Sequence, residues 1–323
     1  MKILVTGGAG YIGSITAQEL IKAGHQAVIF DSLVHGHKRA VADFKMVVGE
    51  IQDKQLLSRV LKEERIEAVI HFAAFIEMGE SMQDPYKYFE NNVYGSLQLM
   101  KAMVETGVDA LVFSSTAGVY GNPERLPIRE DDPKEPTSPY GESKLMVERM
   151  LKWFDEIHNL RSITLRYFNA AGATLNGKLG EAHEPESHLI PNLLQAVLHE
   201  RPVMINGKDY ETPDGTCIRD YIHVVDLAQA HILALEALEN GHQTEVYNVG
   251  TGKGYSNKTV LRMVETVTGT KVTVKYGLRR PGDAAELVAD SQKLKKEFGF
   301  KPRYSDLKTI VETAYKWHQR SFE

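Results

Sequence analysis

The chain has 323 residues and a formal net charge of −5, with 42% hydrophobic and 25% charged residues. These values are ordinary for a soluble enzyme of one large or two closely joined domains, and the scattered Lys and Arg residues exclude an extended nucleic-acid surface. The single cysteine, Cys217, excludes an intrachain disulfide. No apolar run is long enough to span a membrane, and the first strand leaves no room for a signal peptide, so we expect a cytoplasmic protein.

The N-terminal half alternates short apolar runs with longer amphipathic ones, a pattern typical of βαβ units and a parallel sheet. The predicted strands are Ile3–Val5, Ala27–Phe30, Met46–Val48, Ala68–Phe72, Ala110–Phe113 and Ser162–Leu165. The main predicted helices are Tyr11–Ala23, Pro85–Thr106 and Pro139–His158. These elements predict an α/β fold with a doubly wound parallel (Rossmann) sheet, whose strands end at one ligand-binding crevice.

The sequence changes character after Tyr167. Residues 169–188 are rich in Gly, Ala, Asn, Glu and His, as in a loop that covers a substrate. Shorter elements follow, namely helices Leu189–His199 and Val225–Glu239 and a strand Val272–Val274. We therefore predict a dinucleotide-binding domain over residues 1–168 and a smaller α/β substrate-binding domain over residues 169–323, some of whose strands return to the main sheet.

A glycine-rich turn joins the first predicted strand to the first helix. The segment Thr6-Gly-Gly-Ala-Gly-Tyr-Ile-Gly13 satisfies G-x-G-x-x-G, whose glycines let backbone amides approach a pyrophosphate at a helix N-terminus. Asp31 ends the second strand, where it would accept a hydrogen bond from a ribose 2′-hydroxyl and repel a 2′-phosphate. Together these features predict NAD rather than NADP as the coenzyme.

Tyr140 and Lys144 lie four residues apart in the segment Ser138-Pro-Tyr-Gly-Glu-Ser-Lys144. On a helix the two share one face, so the ammonium of Lys144 could stabilise the anion of Tyr140. Because a free tyrosine has a pKa near 10, a base at neutral pH needs both this ammonium and a positively charged nicotinamide ring nearby. With the glycine-rich turn, the pair predicts proton transfer coupled to a redox coenzyme.

Two further strand ends carry residues suited to the same crevice. Phe72-Ala73-Ala74 offers small residues where a nucleotide could lie against the backbone, and Ser114-Ser115-Thr116 offers hydroxyls for a substrate hydroxyl. Backbone packing and capping are the alternative explanations for these two segments. The pair His35-Gly-His37 lacks a third ligand nearby, so we predict no metal site.

Longer motifs extend over essentially the whole chain. In the N-terminal half they are TGGAGYIG (6–13), Asp31-Ser-Leu, HFAA (71–74), FENNVYGS (89–96), SSTAGVYG (114–121), SPYGESKLMVE (138–148) and LRYFNAAGA (165–173). In the C-terminal half they are HLIP (188–191), RDYIHVVDLA (219–228), YNVGTG (247–252) and RRPGD (279–283). With these motifs the chain resembles the UDP-glucose 4-epimerases of the extended short-chain dehydrogenase/reductase superfamily.

The resemblance implies NAD-dependent interconversion of UDP-glucose and UDP-galactose through a 4-keto sugar. Tyr140 would be the base at the sugar 4-hydroxyl, Lys144 would support it and bind the nicotinamide ribose, and Thr116 would hold the hydroxyl. The implied coenzyme residues are Gly7, Gly10, Tyr11, Ile12, Gly13, Asp31, Glu50, Ile51, Phe72, Ala73, Ala74, Asn91, Ser114, Tyr140, Lys144 and Tyr167. The implied UDP-sugar residues are Thr116, Tyr140, Asn169, Leu189, Ile205, Asn206, Arg219, Arg280, Asp283 and Leu287. The resemblance also implies a homodimer formed by the helices near residues 85–106 and 139–158.

Three positions depart from the family pattern. Glu50 stands where an aspartate commonly binds the adenine amine, and Glu77 follows Phe75-Ile76 where some members present a lysine to the coenzyme. Leu287 stands where a tyrosine goes with glucose and galactose only, and a small residue with N-acetylated sugars as well. Because leucine is intermediate in size, activity on UDP-N-acetylhexosamines stays open.

Other functions of the same fold stay as alternatives. A UDP-N-acetylglucosamine or UDP-pentose 4-epimerase would use the same Tyr140 and Lys144. A sugar-nucleotide dehydratase or decarboxylase needs acids after the strand-five hydroxyl, whereas Thr116 is followed by Ala117 and Gly118. A non-catalytic NAD-bound sensor is the alternative from a different class, and it would have no use for an intact Thr116, Tyr140 and Lys144.

Overall fold

The computed structural model describes residues 1–280 and 282–320. Its strands are β1 (Lys2–Thr6), β2 (Gln26–Asp31), β3 (Lys45–Val48), β4 (Ala68–His71), β5 (Ala110–Thr116), β6 (Arg161–Tyr167), β7 (Asn169–Ala171), β8 (Val203–Asn206), β9 (Ile218–His223), β10 (Glu245–Val249), β11 (Gly254–Ser256), β12 (Val274–Gly277) and β13 (Glu286–Leu287).

The α-helices alternate with these strands through the N-terminal half. They are α1 (Tyr11–Lys22), α2 (Lys54–Glu63), α3 (Met78–Ser81), α4 (Pro85–Tyr88), α5 (Gly95–Thr106), α6 (Pro139–His158), α7 (Leu189–Leu198), α8 (Val224–Glu239), α9 (Asn257–Thr268), α10 (Gln292–Phe298) and α11 (Leu307–Arg320). A π-helical turn over Phe89–Tyr94 joins α4 to α5, and short 3₁₀ turns cover Lys38–Val41 and Ala117–Tyr120.

The main sheet has seven parallel strands in the order β10-β6-β5-β4-β1-β2-β3. Strands β2 and β3 lie on one side of β1, and β4 lies on its other side, so the strand order reverses at β1. A crevice forms beyond the carboxyl ends of β1 and β4 at such a reversal. The carboxyl ends of the strands therefore bring Thr6, Asp31, His71 and Thr116 to one edge. The predicted doubly wound fold is confirmed.

Helices cover both faces of this sheet. One core joins Ile3 and Val5 of β1 to Leu227 and Leu235 of α8. The core on the opposite face joins Leu4 to side chains of α2, α5 and α6, including Leu57, Met103 and Val147. Strands buried on both faces explain why the apolar runs of the sequence do not alternate with polar residues.

The C-terminal part adds a smaller layer over the crevice. Strands β11, β9 and β13 form a second sheet, β7 pairs with β9, and β8 pairs with β12. Helices α7, α9 and α11 enclose a separate apolar core around Leu193, Val264 and Ile310. Strand β10 lies in the main sheet, so the division at residue 168 stays a prediction about folding units.

Several predicted boundaries are corrected. The strand predicted at Val272–Val274 begins at Val274, and the strand predicted to end at Phe72 ends at His71. Strand β5 continues past Phe113 to Thr116, because all seven of its residues are buried between β4 and β6. The helix predicted from Pro85 to Thr106 is interrupted by the π-helical turn. Within the described residues, no helix is long and apolar enough to cross a membrane.

Candidate functional site

The glycine-rich turn brings the ends of β1 and β4 into direct contact. Gly7 has a φ of +68°, and a Cβ there would lie 2.6 Å from the backbone nitrogen of Ala73. A Cβ on Gly13 would lie 2.4 Å from the carbonyl oxygen of Gly7, so α1 can begin directly against the turn. Gly10 is the N-cap of α1 and offers no side-chain cap. The first amides of α1, from Tyr11 and Ile12, are therefore left free to bind an anion.

Asp31 is held rigidly at the end of β2. Its Oδ2 accepts a hydrogen bond from the Ala9 amide (2.9 Å), and its Oδ1 accepts one from the Leu33 amide (2.8 Å). The side chain is 7% exposed. Each carboxylate oxygen keeps a second lone pair, so Asp31 can still accept a ribose hydroxyl beside the glycine-rich turn.

The remaining predicted coenzyme residues line the ends of β3, β4 and β5. Ile51 is buried and Glu50 is exposed. Asn91 lies in the π-helical turn and donates to Oδ1 of Asn92 (3.0 Å). Asn92 itself, which the sequence analysis did not single out, bonds both backbone groups of Phe75. The adjacent asparagines in the FENNVYGS motif could have indicated these hydrogen bonds between the π-helical turn and the segment after β4.

Tyr140 and Lys144 lie on the first turns of α6, opposite the end of β5. Ser138 caps this helix by accepting a hydrogen bond from the Gly141 amide (3.2 Å). A Cβ on Gly141 would lie 2.6 Å from the carbonyl oxygen of Gly118, so the start of α6 packs directly against the segment after Thr116. This close approach places Thr116 beside Tyr140.

Lys144 is almost fully buried. Its Nζ donates to the carbonyl oxygen of Ser114 (2.8 Å) and lies 5.0 Å from the ring centre of Phe113. Burial lowers the pKa of Lys144 to about 7, although Glu148 opposes this change. The hydroxyl of Ser114 donates to the hydroxyl of Tyr167 (2.9 Å), so the end of β5 is tied to the end of β6.

The pKa of Tyr140 is raised by burial and, to a lesser extent, by Tyr167, whereas the Thr116 hydroxyl lowers it. Burial thus favours the protonated phenol. The prediction that Lys144 and a nicotinamide ring together ionise Tyr140 stays a prediction, in which the two cations oppose the effect of burial.

A buried ion pair behind the site was missed from the sequence. The guanidinium of Arg166 on β6 bonds the carboxylate of Glu148 on α6 at 2.5 Å, and both side chains are almost inaccessible. Ser115 donates to the same carboxylate (2.5 Å), and Tyr120 accepts from Arg166 (2.8 Å). The signal was Glu148, one helical turn beyond Lys144 on the same face of α6.

The predicted sugar-nucleotide residues form a second group on β7, β9 and β13. Asn169 donates to the carbonyl oxygen of Asp220 (3.1 Å), and Arg219 lies 3.4 Å from the carboxylate of Asp283. Leu287 pairs with Arg219 across the sheet and packs on the apolar cluster after Thr116. Leu189 is the first residue of α7.

Asp220, another residue missed from the sequence, connects this second group to the main sheet. It is fully buried and accepts hydrogen bonds from the Thr251 and Gly252 amides at 3.0 Å and 2.9 Å. It also accepts one from the Ala289 amide at 3.2 Å. This carboxylate explains the YNVGTG segment, whose turn after β10 needs an acceptor for its amides.

The third predicted group lies at the far end of the crevice. When the side-chain amide of Asn206 is oriented with its oxygen toward Arg280, that oxygen accepts a hydrogen bond from Nε of Arg280 (2.7 Å). These two residues, with Asn192, Arg201 and Met204, line a polar cavity of about 270 Å³. Ile205 is buried beside it on β8. Pro281 of the RRPGD segment lies outside the described residues.

A family model described as the NAD dependent epimerase/dehydratase family matches residues 3–250. A UDP-glucose 4-epimerase of Halalkalibacterium halodurans is 50% identical over 320 residues, covering 99% of this chain and 96% of that protein. A crystal structure of UDP-glucose 4-epimerase from Brucella ovis in complex with NAD has 45% identity and a TM-score of 0.94, with 97% of each chain covered. The UDP-Glc/GlcNAc 4-epimerase of Campylobacter jejuni has 38% identity and a TM-score of 0.85, with 99% of each chain covered.

Proposed function

Because the chain belongs to the NAD-dependent epimerase/dehydratase family, we propose that it interconverts UDP-glucose and UDP-galactose by transient oxidation at C4 of the sugar. The observation that carries the proposal is the contact of Tyr140 at the start of α6 with Thr116 at the end of β5, while Leu287 of the second sheet packs on the apolar cluster that follows Thr116. A hydroxyl pair suited to proton transfer thus meets the layer that carries Arg219 and Asp283. The relatives with matching chain length carry the UDP-glucose 4-epimerase name.

The crevice fits a dinucleotide. The free amides at the start of α1 suit its pyrophosphate, which can lie close to the backbone at Gly7 and Ala73. The carboxylate of Asp31 suits its adenosine ribose. When bound, NAD supplies the hydride acceptor for C4 and the hydride donor for the return reaction. Tyr167 and Ser114 would flank its nicotinamide end, because they join the ends of β5 and β6.

Tyr140 removes the proton from the 4-hydroxyl in the proposed reaction and returns it to the 4-keto oxygen in the second half. Thr116 holds that hydroxyl, since its own hydroxyl already contacts Tyr140. Lys144 fixes the carbonyl end of β5 through Ser114. Its protonated form would be a cation one helical turn from the base. Proton and hydride leave and return in equal number, so no net oxidation occurs.

Inversion requires the hexose to present both faces while the nucleotide stays fixed. Arg219 and Arg280 are the forked donors available for the diphosphate, and Asp283 is available for the uridine ribose. Leu287 offers an apolar wall without a hydrogen bond to the sugar. The 4-keto hexose can therefore turn within the pocket while its nucleotide remains bound.

The purified protein tests this proposal directly. It is expected to convert UDP-galactose to UDP-glucose without added reductant or oxidant and to reach equilibrium from either side. Stoichiometric accumulation of NADH would instead indicate a net dehydrogenase. Binding of NAD with no turnover of any of four UDP-hexoses, glucose, galactose and their N-acetylated forms, would indicate a sensor.

The range of sugars depends on Leu287 in this proposal. Leu287→Gly is expected to raise kcat/KM for UDP-N-acetylglucosamine about tenfold or more relative to UDP-glucose, because the removed side chain opens room at C2. Competing assays of the two substrates measure that ratio. Leu278→Gly is the matched control, since Leu278 is 91% exposed. An unchanged ratio in Leu287→Gly would remove Leu287 from the sugar pocket.

We also propose that the chain acts as a cytoplasmic homodimer through α6 and the turn before α5. Met146, Trp153 and Ile157 lie on one face of α6 and are 37%, 60% and 64% exposed, and Tyr94 is 49% exposed nearby. An apolar stripe of this kind favours burial against a second copy.

Trp153→Glu is expected to convert the dimer to a monomer, because it places a charge in the middle of that stripe. Light scattering coupled to size-exclusion chromatography measures the mass. Ile21→Glu on α1, where Ile21 is 50% exposed, is the control and should leave the mass unchanged. A monomeric wild-type chain, or a dimeric Trp153→Glu variant, would contradict this interface.

A further inference from the structure

The segment between β7 and α7 gathers four side chains that can ligate a metal ion. They are Glu181, His183, Glu186 and His188, spaced E-x-H-x-x-E-x-H. One ligand atom from each lies within 4.8 Å of the other three. The prediction that the chain has no metal site rested on His35 and His37 alone. The spacing of the four residues 181, 183, 186 and 188 does not match a helical pair of histidines.

The hydrogen bonds within this cluster leave two of its polar atoms without a partner. Glu186 has a side chain only 4% exposed, and its buried Oε2 has no hydrogen-bond partner. The buried Nδ1 of His183 is 3.1 Å from a carboxylate oxygen of Glu181, yet it makes no hydrogen bond of acceptable geometry. Glu181, also buried, contacts Nδ1 of His188. The unpartnered atoms of His183 and Glu186 are therefore buried, whereas the side chain of His188 is 46% exposed at the edge of the cluster.

The backbone of the segment is held from several sides, which fixes the ligands before any ion binds. The indole of Trp317 donates to the carbonyl oxygen of Glu181 (2.8 Å), and Ser187 donates to the carboxylate of Glu77 (3.0 Å). The imidazole of His37 contacts the carbonyl oxygen of Ala182 (2.9 Å). Anchors from three different parts of the chain thus surround the four ligands.

We propose that Glu181, His183, Glu186 and His188 form a binding site for one divalent metal ion of the zinc class. Two imidazoles and two carboxylates are the donors that Zn²⁺ accepts in tetrahedral sites, at about 2.0–2.2 Å from each ligand atom. Side-chain rotations that bring the present separations down to those of a tetrahedron would complete the site. An ion here would replace the missing partners of Glu186 and His183.

The site would act on the nucleotide crevice through Tyr11. The ring of His183 meets the ring of Tyr11 edge-on with centres 6.5 Å apart, and Tyr11 bonds the carbonyl oxygen of Gly172 (2.6 Å). A metal would fasten residues 181–188 against the start of α1 and against Glu77 after β4. The segment that the sequence marked as a substrate-covering loop would then be closed by an ion instead of by side-chain packing alone.

Ion pairing is the competing explanation for the same cluster. Protonated histidines next to Glu181 would form a charged network that needs no metal. The two explanations differ in one respect, because a network held by protons has no selective affinity for Zn²⁺ and gives no ligand-field spectrum with Co²⁺.

The test uses the full chain, produced without a polyhistidine tag and freed of metal by a chelator. Zn²⁺ is titrated by calorimetry, and the retained metal is counted by mass spectrometry after gel filtration. We expect one Zn²⁺ per chain with a Kd of about 1 µM or tighter. Glu186→Gln should weaken binding at least about tenfold. Glu184→Gln, the same change at an exposed neighbour, should leave binding unchanged.

Co²⁺ binding is measured on the wild-type chain, so this second test does not depend on whether the Glu186→Gln variant folds. Visible absorption bands of a four-coordinate ion, displaced by one equivalent of Zn²⁺, would support the site. Wild-type binding weaker than about 100 µM would overturn the proposal, as would Glu186→Gln and Glu184→Gln chains that bind equally well. Neither readout depends on catalysis, so failure of the site and failure of the proposed epimerase reaction are distinguishable.

Discussion

Tyr140→Phe is expected to lower kcat for UDP-galactose by at least about 100-fold while NAD and the UDP-sugar still bind. The ring of phenylalanine fills the same buried volume, so the packing against Tyr88, whose ring centre is 6.5 Å away, should persist. Only the hydroxyl that contacts Thr116 is lost. General acid–base groups contribute about 100- to 10,000-fold to turnover, which sets the expected range.

Steady-state assays on Tyr140→Phe should show the loss in kcat with little change in KM. The control is Tyr86→Phe, because Tyr86 on α4 is 82% exposed. Bound NAD in both variants can be counted from the absorbance released on denaturation. Near-normal turnover by Tyr140→Phe with its coenzyme retained would exclude Tyr140 as the base.

Much of the fold could be predicted because the residues that favour strands and turns locally are also the residues that the buried sheet needs at those positions. Apolar runs such as Ile3–Val5 are typical of strands in a sheet covered on both faces, and Gly7 and Gly13 permit close approaches of the backbone in the first turn. The ends of these strands then place Asp31 and Thr116 at one edge. The site residues that lie next to strand ends were accessible for that reason.

Contacts between distant parts of the chain could not be predicted in the same way. The Arg166 and Glu148 ion pair joins β6 to α6, and no local pattern distinguishes its members from solvated charges. Asp220 is similar, because its partners Thr251 and Ala289 lie 31 and 69 residues away. Buried charges of this kind depend on tertiary partners, and a single sequence does not show which partners meet.

The pKa of Tyr140 is a property that the sequence alone does not give, because it depends on how deeply the phenol is buried. Helical spacing places Lys144 near Tyr140, but Nζ of Lys144 is turned to the carbonyl oxygen of Ser114. The same burial that favours neutral Lys144 also favours neutral Tyr140. Ionisation of Tyr140 therefore needs a cation beside it, and protonated Lys144 and an oxidised nicotinamide ring are the two cations that the proposed reaction supplies.

Lys144→Met is expected to abolish most activity and, at neutral pH, to make the coenzyme-free chain more stable. Activity falls because the cation beside Tyr140 and the tie to Ser114 are lost, by at least about 100-fold in kcat. Stability rises because burial lowers the pKa of Lys144 to about 7 in the folded chain, whereas the unfolded chain has the ordinary lysine value of 10.5. The unfolded chain therefore binds this proton more tightly, which penalises folding at neutral pH.

The stability difference between Lys144→Met and the wild-type chain is expected to depend on pH, whereas an ordinary packing effect is not. Below about pH 7 the penalty is fully present, and it disappears as pH rises toward 10.5, since both states of Lys144 are then neutral. Each unit of separation corresponds to about 1.4 kcal/mol, and the lost hydrogen bond to Ser114 returns about 1 kcal/mol, so a net gain on the order of a few kcal/mol is expected.

Urea unfolding of both chains at about pH 7 and about pH 9 measures the effect. Lys152→Met on the same helix is the control, because Lys152 has a side chain 74% exposed and should shift stability little at either pH. A Lys144→Met chain that is less stable than wild type at both pH values would mean that Lys144 is charged and well paired in the folded state.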